Sequence, residues 1–385
     1  MFLTTILSTL TLLHLILASP TCTTLSIPVS VRAHNAHFPP DFTTTSLLSL
    51  VGALGAVVFD SLITDTFTIV GTYCEPEVLV ERRKDTVQLL VHGATYTRAY
   101  WTGDGFDERY SWVAAASKDG YPTLAIDRLG NGDSSHPDPI LAVQYPIEVE
   151  TIHQIILKLR AGTVPSTLAG RKFTKVIYVG HSYGSIIGNA LATLYPSDPT
   201  SLILTGWSST FITLIPTVLG TAIILPASLT LTQPQYKSLP LGYLSISSLP
   251  GFRALFFSSP DTYNSSLFNY DFANRGTITV GEAATLAFGV NTASKYEGSV
   301  LVATGQHDAI FCNVLGVNIL LGGLLGESEC GDPETGYLGR SRELFPRARV
   351  FDGLVVPDAG HCWQLHYSAE KGFGMVNEWL RRQGL

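Results

Sequence analysis

Gly180-His181-Ser182-Tyr183-Gly184 sets a hydroxyl between glycines, directly after the strand-forming run Lys175 to Val179 and before the helix-compatible stretch "SIIGNALATLY". A strand turning at once into a helix strains its corner residue and pushes that side chain out above the sheet. Gly180 and Gly184 let neighbouring backbone approach without clash. The serine also sits where unpaired helix N–H groups favour developing negative charge. A tight turn with an incidental serine would show the same five letters; the placement between strand and helix points to a nucleophile.

A serine hydroxyl needs a base, and the base needs an orienter. Corner serines of this kind are followed in the chain by the acid and then the histidine. "VLVATGQHDAIFC" places Asp308 just beyond a strand end, and "VVPDAGHCWQLH" places His361 in a loop after the final strand. His366 and His307 compete for the base, and Asp358, three residues before His361, competes for the acid but reads better as a turn residue. A tetrahedral intermediate needs two donors. The expected ones are the backbone N–H of Tyr183 and that of Ala94, in the loop His92-Gly93-Ala94-Thr95. His92 reads as a prop for that loop and Asp127 as a pin for the Gly-rich turn "DRLGNGDSS".

The elements that must position these groups alternate. "TVQLLVHG", "PTLAIDRLGNG", "KVIYVG", "SLILTG", "SVLVATG" and "RVFDGLVV" are short apolar runs of the kind buried on both faces of a parallel sheet. Between them, Val149, Ile152, Ile156 and Leu159 repeat at helical spacing, a second helix runs from the corner serine to Pro196, and Phe373, Val376 and Leu380 line a C-terminal one. This βαβα order predicts an α/β fold: a doubly wound, mostly parallel sheet with right-handed crossovers. Residues 210–298 are far more than one crossover needs and read as a mainly helical insert, a cap over the sheet edge where ligands bind. The expected divisions are 20–64 as an N-terminal extension, 65–209 and 299–385 as the core, and 210–298 as the cap.

The chain has 385 residues, a formal charge of −7 from 24 basic and 31 acidic side chains, 45% apolar and 14% charged residues. That balance fits a large core, and the lack of a basic tract argues against a nucleic-acid partner. Residues 1–19 read as a signal peptide cleaved near Ala18 or Ser19, although no Lys or Arg precedes the apolar run; a signal anchor is the rival, and no stable membrane span is expected after removal. Five cysteines suit an oxidising compartment, and an odd number leaves one over. Cys312 and Cys330 flank a Gly-rich loop they could staple, and Cys22 with Cys74 would tie the mature N-terminus to an early strand. Sequence leaves the connectivity open. Asn264-Ser265-Ser266 is a glycosylation sequon for a secreted chain.

Taken together, HG after one strand, "DRLGNGDS" after the next, "GHSYG", "GQHD" and the late "GH" resemble the α/β-hydrolase superfamily over roughly residues 65–385. The pattern "TFTIVGTYCEP…VQLLVHGATYTRAYW" is similar, more narrowly, to secreted fungal members, some of them encoded beside secondary-metabolite pathways. The resemblance implies a mechanism without metal or cofactor, with the triad on Ser182, Asp308 and His361, and cap residues shaping an acyl pocket. Relatives that open epoxides or remove halides attack with Asp at the corner, so Ser182 points to acyl transfer. The expectation is a secreted serine hydrolase of an ester, lactone or thioester of an apolar small molecule. A peptidase, a C–C hydrolase or a non-catalytic binder on the same fold are the alternatives. Tyr96, Tyr100 and Trp101, after the oxyanion loop, fit either a greasy substrate or the core.

Overall fold

The computed structural model describes residues 20–38, 57–210, 222–313 and 328–385. The signal segment, the start of the insert including Pro216, and most of the Gly-rich loop after Cys312 lie outside the described residues.

Eleven strands are described: β1 (Thr21–His37), β2 (Val58–Glu75), β3 (Thr86–Val91), β4 (Thr123–Ile126), β5 (Lys175–His181), β6 (Ser201–Thr205), β7 (Ile224–Pro226), β8 (Tyr243–Ile246), β9 (Ile278–Thr279), β10 (Ser299–Gly305) and β11 (Val350–Val356). Eight form one sheet in the order β1-β2-β4-β3-β5-β6-β10-β11. From β4 to β11 every neighbouring pair is parallel. The central strands β3, β5, β6 and β10 are apolar on both faces because helices cover both. The order reverses at β3 and β5, so the loops after them open into a crevice at the carboxyl edge.

The expected helices form. Tyr145–Ala161 carries Pro146 in its first turn and ends at Gly162, whose φ of 72° suits only a residue without Cβ. Tyr183–Leu194 follows the corner serine, and Ala369–Arg382 buries Phe373, Val376 and Leu380.

Residues 20–64 do not stand apart as an extension, a correction to the sequence reading. β1 pairs antiparallel with β2 along nearly its whole length, and β2 pairs antiparallel with β4, so the drawn boundary falls inside β2. The cause is legible: Leu25, Ile27, Val29 and Val31 are buried while the residues between them are exposed, the alternation of a strand with one face on the core. The Cys22–Cys74 disulfide crosses this pair, and Cys312–Cys330 closes the loop after β10.

The described part of the insert holds helices Leu249–Phe256, Ser265–Asn274 and Val280–Thr285. It also carries a small antiparallel sheet, β7-β8-β9, that helical spacing did not announce. Among the described residues no helix is long and apolar enough to cross a membrane.

Candidate active site

Ser182 sits at the turn between β5 and helix Tyr183–Leu194 with φ 54° and ψ −116°, a conformation costly for any residue with a Cβ. Its surroundings over-determine it. The Ser182 N–H donates to Thr205 O at 2.9 Å, and Ser182 O accepts from Ser185 N–H at 2.8 Å. Both flanking glycines are required by space: a Cβ at 180 would lie 2.5 Å from Gly184 O, and one at 184 only 2.2 Å from Val91 O. The serine is half-buried.

Asp308 lies in the turn after β10 and is fully buried. Its Oδ1 accepts from the Ile310 and Phe311 amides at 2.8 and 2.9 Å, and its Oδ2 meets His361 Nδ1 at 2.8 Å. One oxygen is therefore held by backbone while the other holds the imidazole. His361 follows β11 and is 1% exposed. Among the described residues its Nε2 is buried without a hydrogen-bond partner. Its ring lies 4.9 Å from that of His181, the residue before Ser182, 5.5 Å from that of Phe256 and 5.7 Å from that of Phe311. The Ser182 hydroxyl and His361 Nε2 are not hydrogen-bonded to each other.

The loop after β3 packs directly on the serine: a Cβ at Gly93 would come within 2.9 Å of Ser182 Cβ. Neither the Ala94 nor the Tyr183 amide donates to another described residue. The insert grips this loop, with Thr95 N–H donating to Thr277 O at 3.0 Å and Gly276 N–H to Thr95 O at 2.7 Å. Thr95 itself sits at φ 60°.

The competing residues have other tasks. His366 is buried; its Nε2 accepts from both Ser258 N–H and Gly360 N–H, and its Nδ1–H donates to Cys362 O. Burial holds its imidazole down at about 4. His307 binds Ser328 O and Glu329 through Nδ1. Asp358 is exposed, at φ 51°, and shapes the turn before His361. Asp127 accepts from the Arg98 and Asp133 amides and pairs with the Arg98 guanidinium, the structural role expected; burial pushes its carboxyl up. Tyr100 and Trp101 are core, and Tyr96 is 3% exposed. Asn264 caps helix Ser265–Asn274 through Oδ1, which accepts from the Ser266 and Leu267 amides.

Cys362 lies outside both disulfides and is buried. Its Sγ is 3.2 Å from Tyr96 Oη and 3.6 Å from His181 Nε2. Thr205 donates its hydroxyl to Gly180 O, so it accepts from His181 Nδ1–H and leaves Nε2 as an acceptor facing the thiol. Burial, with His361 and His92 nearby, holds the His181 imidazole well below its ordinary value. A cavity of about 380 Å³ lies elsewhere, over β2 and β4, lined by Arg98, Asp127, Tyr236 and Asn274 among others, and none of Ser182, Asp308 and His361 borders it.

A strained corner serine at the sheet's carboxyl edge, a histidine held by a buried carboxylate after the last strand, and an insert after β6 form one recognisable constellation. The alpha/beta hydrolase family profile matches residues 88–370. The chain belongs to this family. Among solved structures it is similar to a thermophilic esterase from Thermogutta terrifontis, at 17% identity over 82% of this chain and 94% of that one, with a TM-score of 0.49. It is also similar to an epoxide hydrolase from Vigna radiata, at 16% identity over 82% and 95%, with a TM-score of 0.47. No curated protein matches the sequence.

Sequence reasoning passed over Arg128. This guanidinium is buried after β4 and pairs with Glu148 and Glu282. The signal was a charged pair, Asp127-Arg128, set directly after an apolar strand in "LAIDRLG".

Proposed function

We propose that this protein is a secreted serine hydrolase of carboxylic esters, lactones or thioesters, with Ser182 as nucleophile, His361 as base and Asp308 as its orienter. The observation that carries the reading is the state of His361: Nδ1 is engaged by Asp308 at 2.8 Å while the buried Nε2 keeps an unused lone pair beside the Ser182 corner. With Nδ1–H donated to the carboxylate, Nε2 is the basic nitrogen.

His361 Nε2 takes the Ser182 proton as Oγ attacks the acyl carbon. The carbonyl electrons move onto oxygen, where the Ala94 and Tyr183 amides receive them. Collapse expels the alcohol or thiol, which leaves with the proton from His361. Water, deprotonated by the same nitrogen, then releases the acid and restores Ser182. Asp308 stays ionised and stabilises the imidazolium. Phe256 and Phe311 beside His361 support an apolar acyl or leaving group, and the insert serves as the cap that encloses it. Two disulfides support an oxidising compartment, in keeping with residues 1–19 as a signal and Asn264 as a glycan acceptor.

A fluorophosphonate probe tests the reading. The parent protein should be labelled and Ser182→Ala should not; no label on a folded parent would favour a binding protein. A panel of p-nitrophenyl esters against aminoacyl arylamides separates esterase from peptidase.

A further inference from the structure

Arg128 is 2% exposed and none of the steps above uses it. Its contacts run to both sides of the oxyanion site. Nε donates to His92 O at 3.0 Å and Nη2 to Gly93 O at 3.3 Å. Its backbone N–H donates to His92 Nε2 at 3.0 Å, which leaves His92 Nδ1–H to donate to Gly93 O at 2.8 Å. The Gly93 carbonyl is therefore held by two donors. The peptide between Gly93 and Ala94 is planar and trans, so its N–H points opposite to its C=O. Pinning Gly93 O towards Arg128 thereby aims the Ala94 N–H away from it, and the same loop packs on Ser182.

The second donor belongs to Tyr183, and the same guanidinium reaches it. The cation lies 4.7 Å from the centre of the Tyr183 ring, and Glu148 bridges the two, pairing with Arg128 while accepting from Tyr183 Oη at 2.5 Å. A third arm goes to the insert. Arg128 Nη1 also pairs with Glu282, whose other oxygen accepts from the Thr279 amide to close the capping box of helix Val280–Thr285. Only a planar five-donor group satisfies His92, Gly93 and two carboxylates from one buried position.

We propose that Arg128 is a positioning residue that aligns both oxyanion donors and, through Glu282, makes their alignment depend on a seated insert. The proposal rests on Ser182 being the nucleophile and on Ala94 and Tyr183 being the donors.

The test uses Arg128→Lys, which keeps the charge and loses the fork, together with Glu282→Gln and Tyr183→Phe, which keep shape and the backbone amide. Each is assayed for fluorophosphonate labelling, for kcat and KM on a p-nitrophenyl ester, and for inhibition by a trifluoromethyl ketone that becomes a tetrahedral oxyanion on the serine. Loss of a whole oxyanion donor costs about 10²–10³ in kcat, so misalignment by Arg128→Lys should cost about 10–100-fold, with KM within about threefold. Ketone affinity should fall in parallel with kcat/KM. Glu282→Gln and Tyr183→Phe should move the same quantities the same way, by about 3–10-fold. Should Arg128→Lys fail to fold, the other two variants decide. Unchanged kcat, or activity lost with folded fraction while the ketone binds as before, overturns the positioning role. A parent that never labels at Ser182 overturns the hydrolase reading and this one with it.

Discussion

Acidification should loosen the histidine loop through His366, and the effect has a computable size. His366 Nε2 receives the Ser258 amide from the insert and the Gly360 amide from the loop carrying His361, so one lone pair joins the two segments. Protonation destroys that acceptor. The folded protein resists it, because burial depresses the imidazole to about 4 against an ordinary value of about 6.5. The unfolded chain takes its proton first as the pH falls. The stabilisation is therefore complete above about pH 6.5 and is lost progressively down to about pH 4. About 2.5 pH units at about 1.4 kcal/mol each gives about 3.5 kcal/mol in full, of which about 3 kcal/mol is lost by about pH 4. The perturbation is His366→Gln, whose amide oxygen can still accept without titrating. Urea unfolding of both proteins at about pH 7 and about pH 4 gives the loss for each. His92 and His181, also held low by burial, contribute equally to both proteins and cancel. The variant should lose about 3 kcal/mol less than the parent. Losses agreeing within about 0.5 kcal/mol would refute the reasoning.

Asp308→Asn should keep the buried shape and the amide contacts but present the wrong tautomer to His361, lowering kcat by about 10³–10⁴-fold with a small change in KM, read from initial rates on an ester. Burial, and then Glu282, pushes the Glu148 carboxyl up against the pull of Arg128, with Tyr183 donating to it. Negative charge gained there towards alkaline pH lies behind the proposed oxyanion donors, so kcat should fall on the alkaline side, and Glu148→Gln should abolish that limb in a pH–rate profile. Replacing Cys22 and Cys74 by serine opens a separation of 52 residues, and replacing Cys312 and Cys330 one of 18, so denaturant midpoints should report losses of about 4 and about 3 kcal/mol respectively.

The sequence by itself determined what is local. The apolar runs from β3 onward announced their strands because their period and boundaries lie within a few residues. Ser182 was legible because the strand, the two glycines and the helix that create the corner are contiguous. Asp308 and His361 were legible as strand-end residues of the right types in the right order. The alternation of Leu25, Ile27, Val29 and Val31 also stood in the sequence and was passed over as an extension, although its partner strand begins some thirty residues on. Tertiary structure decided the rest. Arg128 meets Glu282 across 154 positions, His366 joins Ser258 across 108, and Cys362 meets His181 across 181. No periodicity connects such pairs, because a buried polar side chain is defined by the partner that desolvation obliges it to find. Which histidine keeps an unused nitrogen, and which spends both on structure, followed only once the folded chain had placed those partners.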